Sequence, residues 1–167
     1  MSAVSEFTIA PATPDDIPLI LALITELAEY EQLAHEVEAT APQLHEALFS
    51  ATPFAQTVIA RDGSGTPAGF ALFFFNFSTF TGRPSLYMED LFVRAEFRRR
   101  GLGRQLLAYL ARVALLRGCA RMEWSVLNWN EVALRVYRGI GAHPMDEWTV
   151  QRLTGQALEE LAAASTS

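Results

Sequence analysis

Apolar residues along this chain recur with two periods, and the changes between them mark out its elements. Residues 7–11 read as a short first strand. Thr13-Pro14-Asp15-Asp16 starts a helix, with a hydroxyl at the cap, proline at the first helical position and acids in the first turn. Ile17, Ile20, Leu21, Ile24, Leu27 and Ala28 then fall at helical spacing and carry it to about Tyr30. A second short helix is expected after Thr40, with Leu44, Ala47 and Leu48 inward. Residues 54–61 and 67–77 read as strands joined by the hairpin turn Asp62-Gly63-Ser64-Gly65. Residues 78–84 read as a loop, and 85–93 as an apolar strand interrupted by Glu89-Asp90. A long amphipathic helix runs from about Leu102 to Arg117, with Leu106, Leu107, Leu110, Val113 and Ala114 on one side. Residues 121–127 form a further strand, 131–138 a helix, 148–153 a final strand and 156–164 a short C-terminal helix. This order lacks repeated strand–helix–strand units. It predicts an α+β fold and disfavours a doubly wound dinucleotide fold.

Length and composition narrow the classes. With 167 residues, half of them hydrophobic and 19% charged, the chain suits one core-forming domain over residues 1–167. The longest apolar stretch, residues 69–75, is too short to cross a bilayer, so no membrane association is expected. MSAVSEFTIA shows no secretory signal, and a lone Cys119 fits a reducing cytoplasm and a buried, inert thiol. His35, His45 and His143 lack metal-ligand spacing, so no metal is expected.

Charge is unevenly placed. The 13 basic residues are all arginine. Residues 1–60 hold nine acids and no lysine or arginine, whereas residues 83–138 hold eleven arginines against five acids. Either these are ordinary solvated faces, or the middle takes an anion and the front attracts a cation.

Three motifs carry candidate chemistry. Arg98-Arg99-Arg100-Gly101-Leu102-Gly103-Arg104 lies between a buried strand and a helix. Two glycines let backbone N–H groups approach a ligand, the helix start adds its dipole and four arginines add charge, as a pyrophosphate site needs. The bland alternative is a glycine turn with a solvated basic cluster, and the third glycine of the dinucleotide fingerprint is absent. In the Glu89-Asp90 pair, strand alternation turns at least one carboxylate toward a covered surface. Such a group is a structural ion-pair partner, a general base or a clamp for a cation. In Asn128-Trp129-Asn130-Glu131-Val132-Ala133-Leu134-Arg135-Val136-Tyr137, Asn130 suits a helix cap. Tyr137 lies two turns on, and by itself reads as a core aromatic.

At these residues the chain resembles the GCN5-related N-acetyltransferase (GNAT) superfamily. Arg98-x-x-Gly101-x-Gly103 matches its acetyl-CoA motif, and Asn130…Tyr137 followed by Gly141-Ala142 matches its second cofactor motif. Leu86-Tyr87-Met88-Glu89-Asp90-Leu91-Phe92-Val93, Trp129-Asn130-Glu131 and Leu27-Ala28-Glu29-Tyr30-Glu31 are similar to the spermidine/spermine acetyltransferase group. Phe77-Ser78-Thr79-Phe80, lacking that group's aspartate, is closer to its thialysine N-epsilon-acetyltransferase branch.

The resemblance implies a central mixed, mostly antiparallel sheet flanked by helices, and an acetyl-CoA-dependent N-acetyltransferase. Acetyl would pass directly, in a ternary complex, to a primary amine of a small cationic molecule: a thialysine-like amino acid or a polyamine or diamine. Leu91, Phe92 and Val93 would pair with the pantetheine arm. Arg98, Arg99, Arg100, Gly101, Leu102, Gly103 and Arg104 would form the phosphate site, and Asn130, Glu131, Ala133 and Tyr137 would touch the cofactor. Tyr137 would protonate the departing thiolate and Glu89 would take the amine proton, its pKa lifted by desolvation. Tyr30, Glu31, Glu89, Asp90, Trp124 and Ser125 would line the substrate side. Arg138-Gly139-Ile140 replaces a basic run after Tyr137 and removes one cofactor contact. A homodimer and a cytoplasmic location are expected, with no nucleic-acid partner. The rivals are an acyl-CoA-binding regulatory module without turnover, and an acetyltransferase acting on a protein or antibiotic amine.

Overall fold

The computed structural model describes residues 6–164, which fall into two compact units, one ending at Asn130 and the other starting at Glu131. The first unit holds a five-stranded sheet in the order β1 (Phe7–Pro11), β2 (Gln56–Asp62), β3 (Pro67–Ser78), β4 (Arg83–Val93) and β5 (Met122–Trp124). β1 to β4 pair antiparallel. β5 runs parallel to β4, because α3 (Leu102–Leu116) returns the chain to the same end of the sheet. This is the mixed, mostly antiparallel sheet expected of the fold.

Local chemistry fixes the elements. The Thr13 N–H donates to Asp16 Oδ2 at 2.8 Å, and Arg61 of β2 bonds Asp16 Oδ1 at 2.6 Å, so the entry to α1 (Ile17–Tyr30) is tied to the sheet. Thr40 and Gln43 close a reciprocal cap on α2 (Ala41–Phe49). Ile17, Ile20 and Leu23 of α1 and Leu48 of α2 pack on Ile59, Phe70, Leu72 and Phe92. Phe73, alternating away from Leu72, shares the opposite side with Tyr109 and Val113 of α3. Gly69 is small for a steric reason: a Cβ there would stand 2.4 Å from the Phe92 carbonyl oxygen.

Several expectations on the first unit change: β2 begins at Gln56, not 54, and a 3-10 turn over Pro14–Asp16 precedes α1. β4 starts at Arg83, leaving only residues 79–82 as the hairpin loop. β5 covers only residues 122–124 of the expected 121–127, because its pairing with β4 ends at Met88–Trp124. Leu23 is fully buried, whereas Leu21 and Ile24 lie half-covered at the margin of the α1 stripe.

The second unit comprises α4 (Glu131–Gly139), α5 (Gly155–Ala163) and the segment between them. Residues 148–153, expected as a strand, have no regular structure. Trp148 and Val150 suit a strand by type, but among the described residues no neighbouring strand takes up their backbone groups.

Candidate active site

β4 is the element from which the site is built. Phe73 stands opposite Met88 and Leu72 opposite Asp90, so Glu89 is the extra residue of a β-bulge. The bulge resets the alternation. Tyr87, Asp90 and Phe92 then share the α1 side of the sheet, opposite Phe74, Leu72 and Phe70, while Glu89 is exposed. The covered carboxylate expected of the pair is therefore Asp90. Burial, with the charges of Glu89 and Glu31 adding to it, pushes the Asp90 carboxyl from the ordinary 3.8 up to about 6. Burial also raises Glu31, at the C-terminal end of α1. The desolvation expected at Glu89 is found one residue further on.

Beyond Met88 the two parallel strands separate, and among the described residues no strand pairs with positions 89–93 on that edge. The Arg94 N–H bonds the Ala68 carbonyl of β3. Antiparallel alternation then turns the backbone groups of Leu91 and Val93 to the open edge. A short turn at Ala95–Phe97 leads from there to Arg98, and α3 follows. Gly101 caps α3 with a left-handed φ of 78°, and among the described residues no side chain makes a capping hydrogen bond there. Arg99 is also left-handed, at φ 62°. The helix start is thus an open set of donors, as an anion requires.

The family pattern described as the acetyltransferase (GNAT) family matches residues 21–142. The chain belongs to this family. It is 37% identical to the thialysine N-epsilon-acetyltransferase of Bos taurus over 164 residues, covering 92% of this chain and 96% of that one. It is 33% identical to the L-ornithine N5-acetyltransferase of Arabidopsis thaliana over 194 residues, covering 90% and 85%. Among solved structures, an integron cassette protein of V. cholerae superposes with a TM-score of 0.78 at 26% identity, covering 95% and 99%. The protein is accordingly an N-acetyltransferase, and GNAT acetyltransferases use acetyl-CoA.

The GNAT residues present fit that cosubstrate in two respects. The open β4 edge offers Leu91 and Val93 backbone groups to an amide-bearing arm, and the uncapped start of α3 offers N–H groups to phosphates. The four arginines do not act together, however. Arg100 is paired with Glu6 and lies 5.3 Å over the rings of both Phe7 and Phe97. Arg98 lies 4.7 Å over the Tyr30 ring and 5.6 Å over Phe92, and its Nε donates to the Val93 carbonyl at 2.9 Å. Arg99 and Arg104 have no ion-pair partner among the described residues and are the cations left for a phosphate.

Of the residues expected to line the substrate side, Tyr30 lies 6.1 Å from Trp129 and 6.5 Å from Phe92, ring to ring, and its hydroxyl donates to Asn130 Oδ1 at 3.5 Å. Trp129, part of the Trp129-Asn130-Glu131 likeness but given no role in it, is thus a neighbour of Tyr30. Trp124 ends β5 opposite Met88, and Ser125 lies just past the strand, its hydroxyl 2.9 Å from that of Tyr87. In the second unit, Ala133, Leu134 and Tyr137 are the half-buried positions of α4, and Glu131 lies 3.9 Å from Arg138. Cys119 is buried, which pushes its thiol pKa up and fits an unreactive thiol.

Proposed function

We propose that this enzyme transfers acetyl from acetyl-CoA directly to the side-chain primary amine of a small cationic molecule in a ternary complex. The observation that carries this reading is the placing of Asp90 and Glu31 on the α1 side of β4, beside the open strand edge. The two relatives named above act on N-epsilon of thialysine and N5 of ornithine, which supports a side-chain amine over a polyamine.

An alkylamine with a pKa near 10.4 is neutral in about one molecule in 2,500 at pH 7, so the enzyme must remove a proton before attack. Asp90 is the group we assign to this step. A carboxyl near 6 is ionised at neutral pH yet more basic than an ordinary aspartate. Exposed Glu89, the carboxylate singled out by the resemblance, relays the proton to water. Glu31 and Tyr30 hold the cation before it loses that proton. The Leu91 N–H, on the open edge, stabilises the oxygen that gains charge during attack. Tyr137 donates a proton to the leaving sulfur, and Asn130, Glu131 and Ala133 touch the cosubstrate. Arg99, Arg104 and the N–H groups from Leu102 onward hold the phosphates. The reading includes a cytoplasmic homodimer.

The deciding experiment incubates the purified protein with acetyl-CoA and a panel containing L-ornithine, L-lysine, thialysine, spermidine, an aminoglycoside and an acetylatable peptide, and follows thiol release. Turnover on the amino acids with kcat/KM at least tenfold above the rest is expected. Absence of turnover on every amine overturns the proposal.

A further inference from the structure

Arg98 lies where neither a phosphate ligand nor a simple surface cation would be expected. Its guanidinium rests 4.7 Å from the Tyr30 ring centre and 5.6 Å from that of Phe92. The Trp129 ring lies 6.1 Å from that of Tyr30. Tyr30 and Trp129 are 36% and 52% exposed, so this cluster borders solvent. Two aromatic faces around one delocalised cation form a cation-binding site, here filled by the chain itself. Arg98 has no carboxylate partner among the described residues. It is held by ring faces and by one hydrogen bond, from Nε to the Val93 carbonyl. That carbonyl belongs to the open edge of β4, where an extended amide-bearing ligand adds as a strand would.

We propose that Arg98 is a resident occupant of the acceptor's cation subsite and that acetyl-CoA evicts it by competing for Val93. In the free enzyme the guanidinium blocks the faces of Tyr30 and Phe92. When the cosubstrate arm engages the β4 edge, the Nε tether is lost and the side chain leaves the rings. The ammonium of the acceptor then takes the vacated aromatic faces, with Glu31 beside them. The two ligands, one cationic and one polyanionic, are thereby coupled through one side chain, and the coupling is reciprocal. This rests on the proposed amine-acceptor reading, and it adds a residue that sets the order of binding without entering the chemistry.

The sign of one effect separates this role from phosphate binding. Removing a phosphate ligand weakens coenzyme A. Removing a competitor for Val93 leaves coenzyme A as tight or makes it tighter. The test is calorimetric titration of L-ornithine, and of whichever panel amine turns over best, with and without saturating unreactive coenzyme A. Wild type, Arg98→Ala and Arg98→Gln are compared, each checked for an unchanged circular dichroism spectrum. In the wild type, coenzyme A is expected to tighten amine binding at least tenfold. In both variants the amine should bind without coenzyme A, the coupling should fall below threefold, and coenzyme A should bind at least as tightly as to wild type. Coupling that persists at tenfold in the variants overturns the proposal, as does a tenfold loss of coenzyme A affinity. If Arg98→Ala fails to fold, Arg98→Gln, which keeps the length of the side chain, decides alone. Should wild type turn over the amines while the coupling proves insensitive to Arg98, the occupant role alone fails. Should no amine turn over at all, the functional reading fails instead.

Discussion

Asp90 stands opposite Leu72 across the β3–β4 ladder, one residue out of step with the pair formed by Met88 and Phe73. That single-residue slip turns Asp90 toward α1 and into the range of Glu31, while leaving Glu89 in solvent. Two adjacent carboxylates thereby acquire unlike chemistry.

Asp90→Asn should therefore alter both the pH profile and the stability. Wild-type kcat/KM is expected to fall below about pH 6, as the carboxyl takes up its proton. The variant should lose that limb and at least 100-fold in rate at pH 7.5. Glu89→Gln should cost less than tenfold. The folded pKa of Asp90 is raised, so its contribution to stability is fully present below the ordinary value of 3.8 and is lost as pH rises through about 6. The charged carboxyl then opposes folding by up to about 3 kcal/mol at pH 7.5. Asp90→Asn should raise Tm at pH 7.5 and hardly change it at pH 3.5. A retained acid limb with an unchanged Tm would remove Asp90 from the mechanism.

Gly101→Val tests the phosphate turn. The φ of 78° disfavours any side chain, and a β-branched one most, although a Cβ there meets open space. The turn must re-form, which moves the first N–H groups of α3. Coenzyme A affinity should fall at least tenfold in calorimetry while the far-ultraviolet spectrum is kept. Equal affinity in the two proteins would place the phosphates elsewhere.

The arginines should separate by function. Arg99→Ala and Arg104→Ala are each expected to weaken coenzyme A about 3- to 10-fold, an effect that shrinks as salt is raised. Arg100→Ala removes the Glu6 pair and the contact with Phe7 and Phe97, so it should lower Tm by a few degrees and leave coenzyme A within threefold. A reversed pattern in paired Tm and binding measurements would refute the division.

Tyr137→Phe should lower kcat about 10- to 100-fold with coenzyme A affinity within twofold, because the lost hydroxyl acts on the leaving sulfur. A solvent isotope effect measured alongside should grow in the variant. Wild-type kcat in Tyr137→Phe would assign the proton to another donor.

Sequence alone was informative wherever a local rule applied. Thr13 and Pro14 announced the 3-10 turn over Pro14–Asp16 that leads into α1, α3 begins at Leu102 as expected, and its periodic leucines are buried nearly as expected. It was less informative where neighbours decide. Nothing in the Met88-Glu89-Asp90 run announces a bulge, since register depends on β3, so sequence left open which of the two carboxylates faces the covered side. Trp148 and Val150 have strand-forming side chains, yet pairing requires a partner that sequence does not supply. The likeness of four neighbouring arginines hid their division, because the rings that take up Arg98 and Arg100 lie far away in the chain.

The separation of β5 from β4 after Met88 also bears on solubility. An unpaired strand edge is a template on which another chain can add, and Leu91-Phe92-Val93 is the apolar kind of edge that invites it. The bulge and the two carboxylates at 89 and 90 stand at the mouth of that edge, where charge and a kink are the usual deterrents to strand addition. The residues assigned to proton transfer thus double as gatekeepers. Neutralising both carboxylates together should leave a protein that self-associates in light scattering at low salt, and coenzyme A, by covering the same edge, should hold it monodisperse.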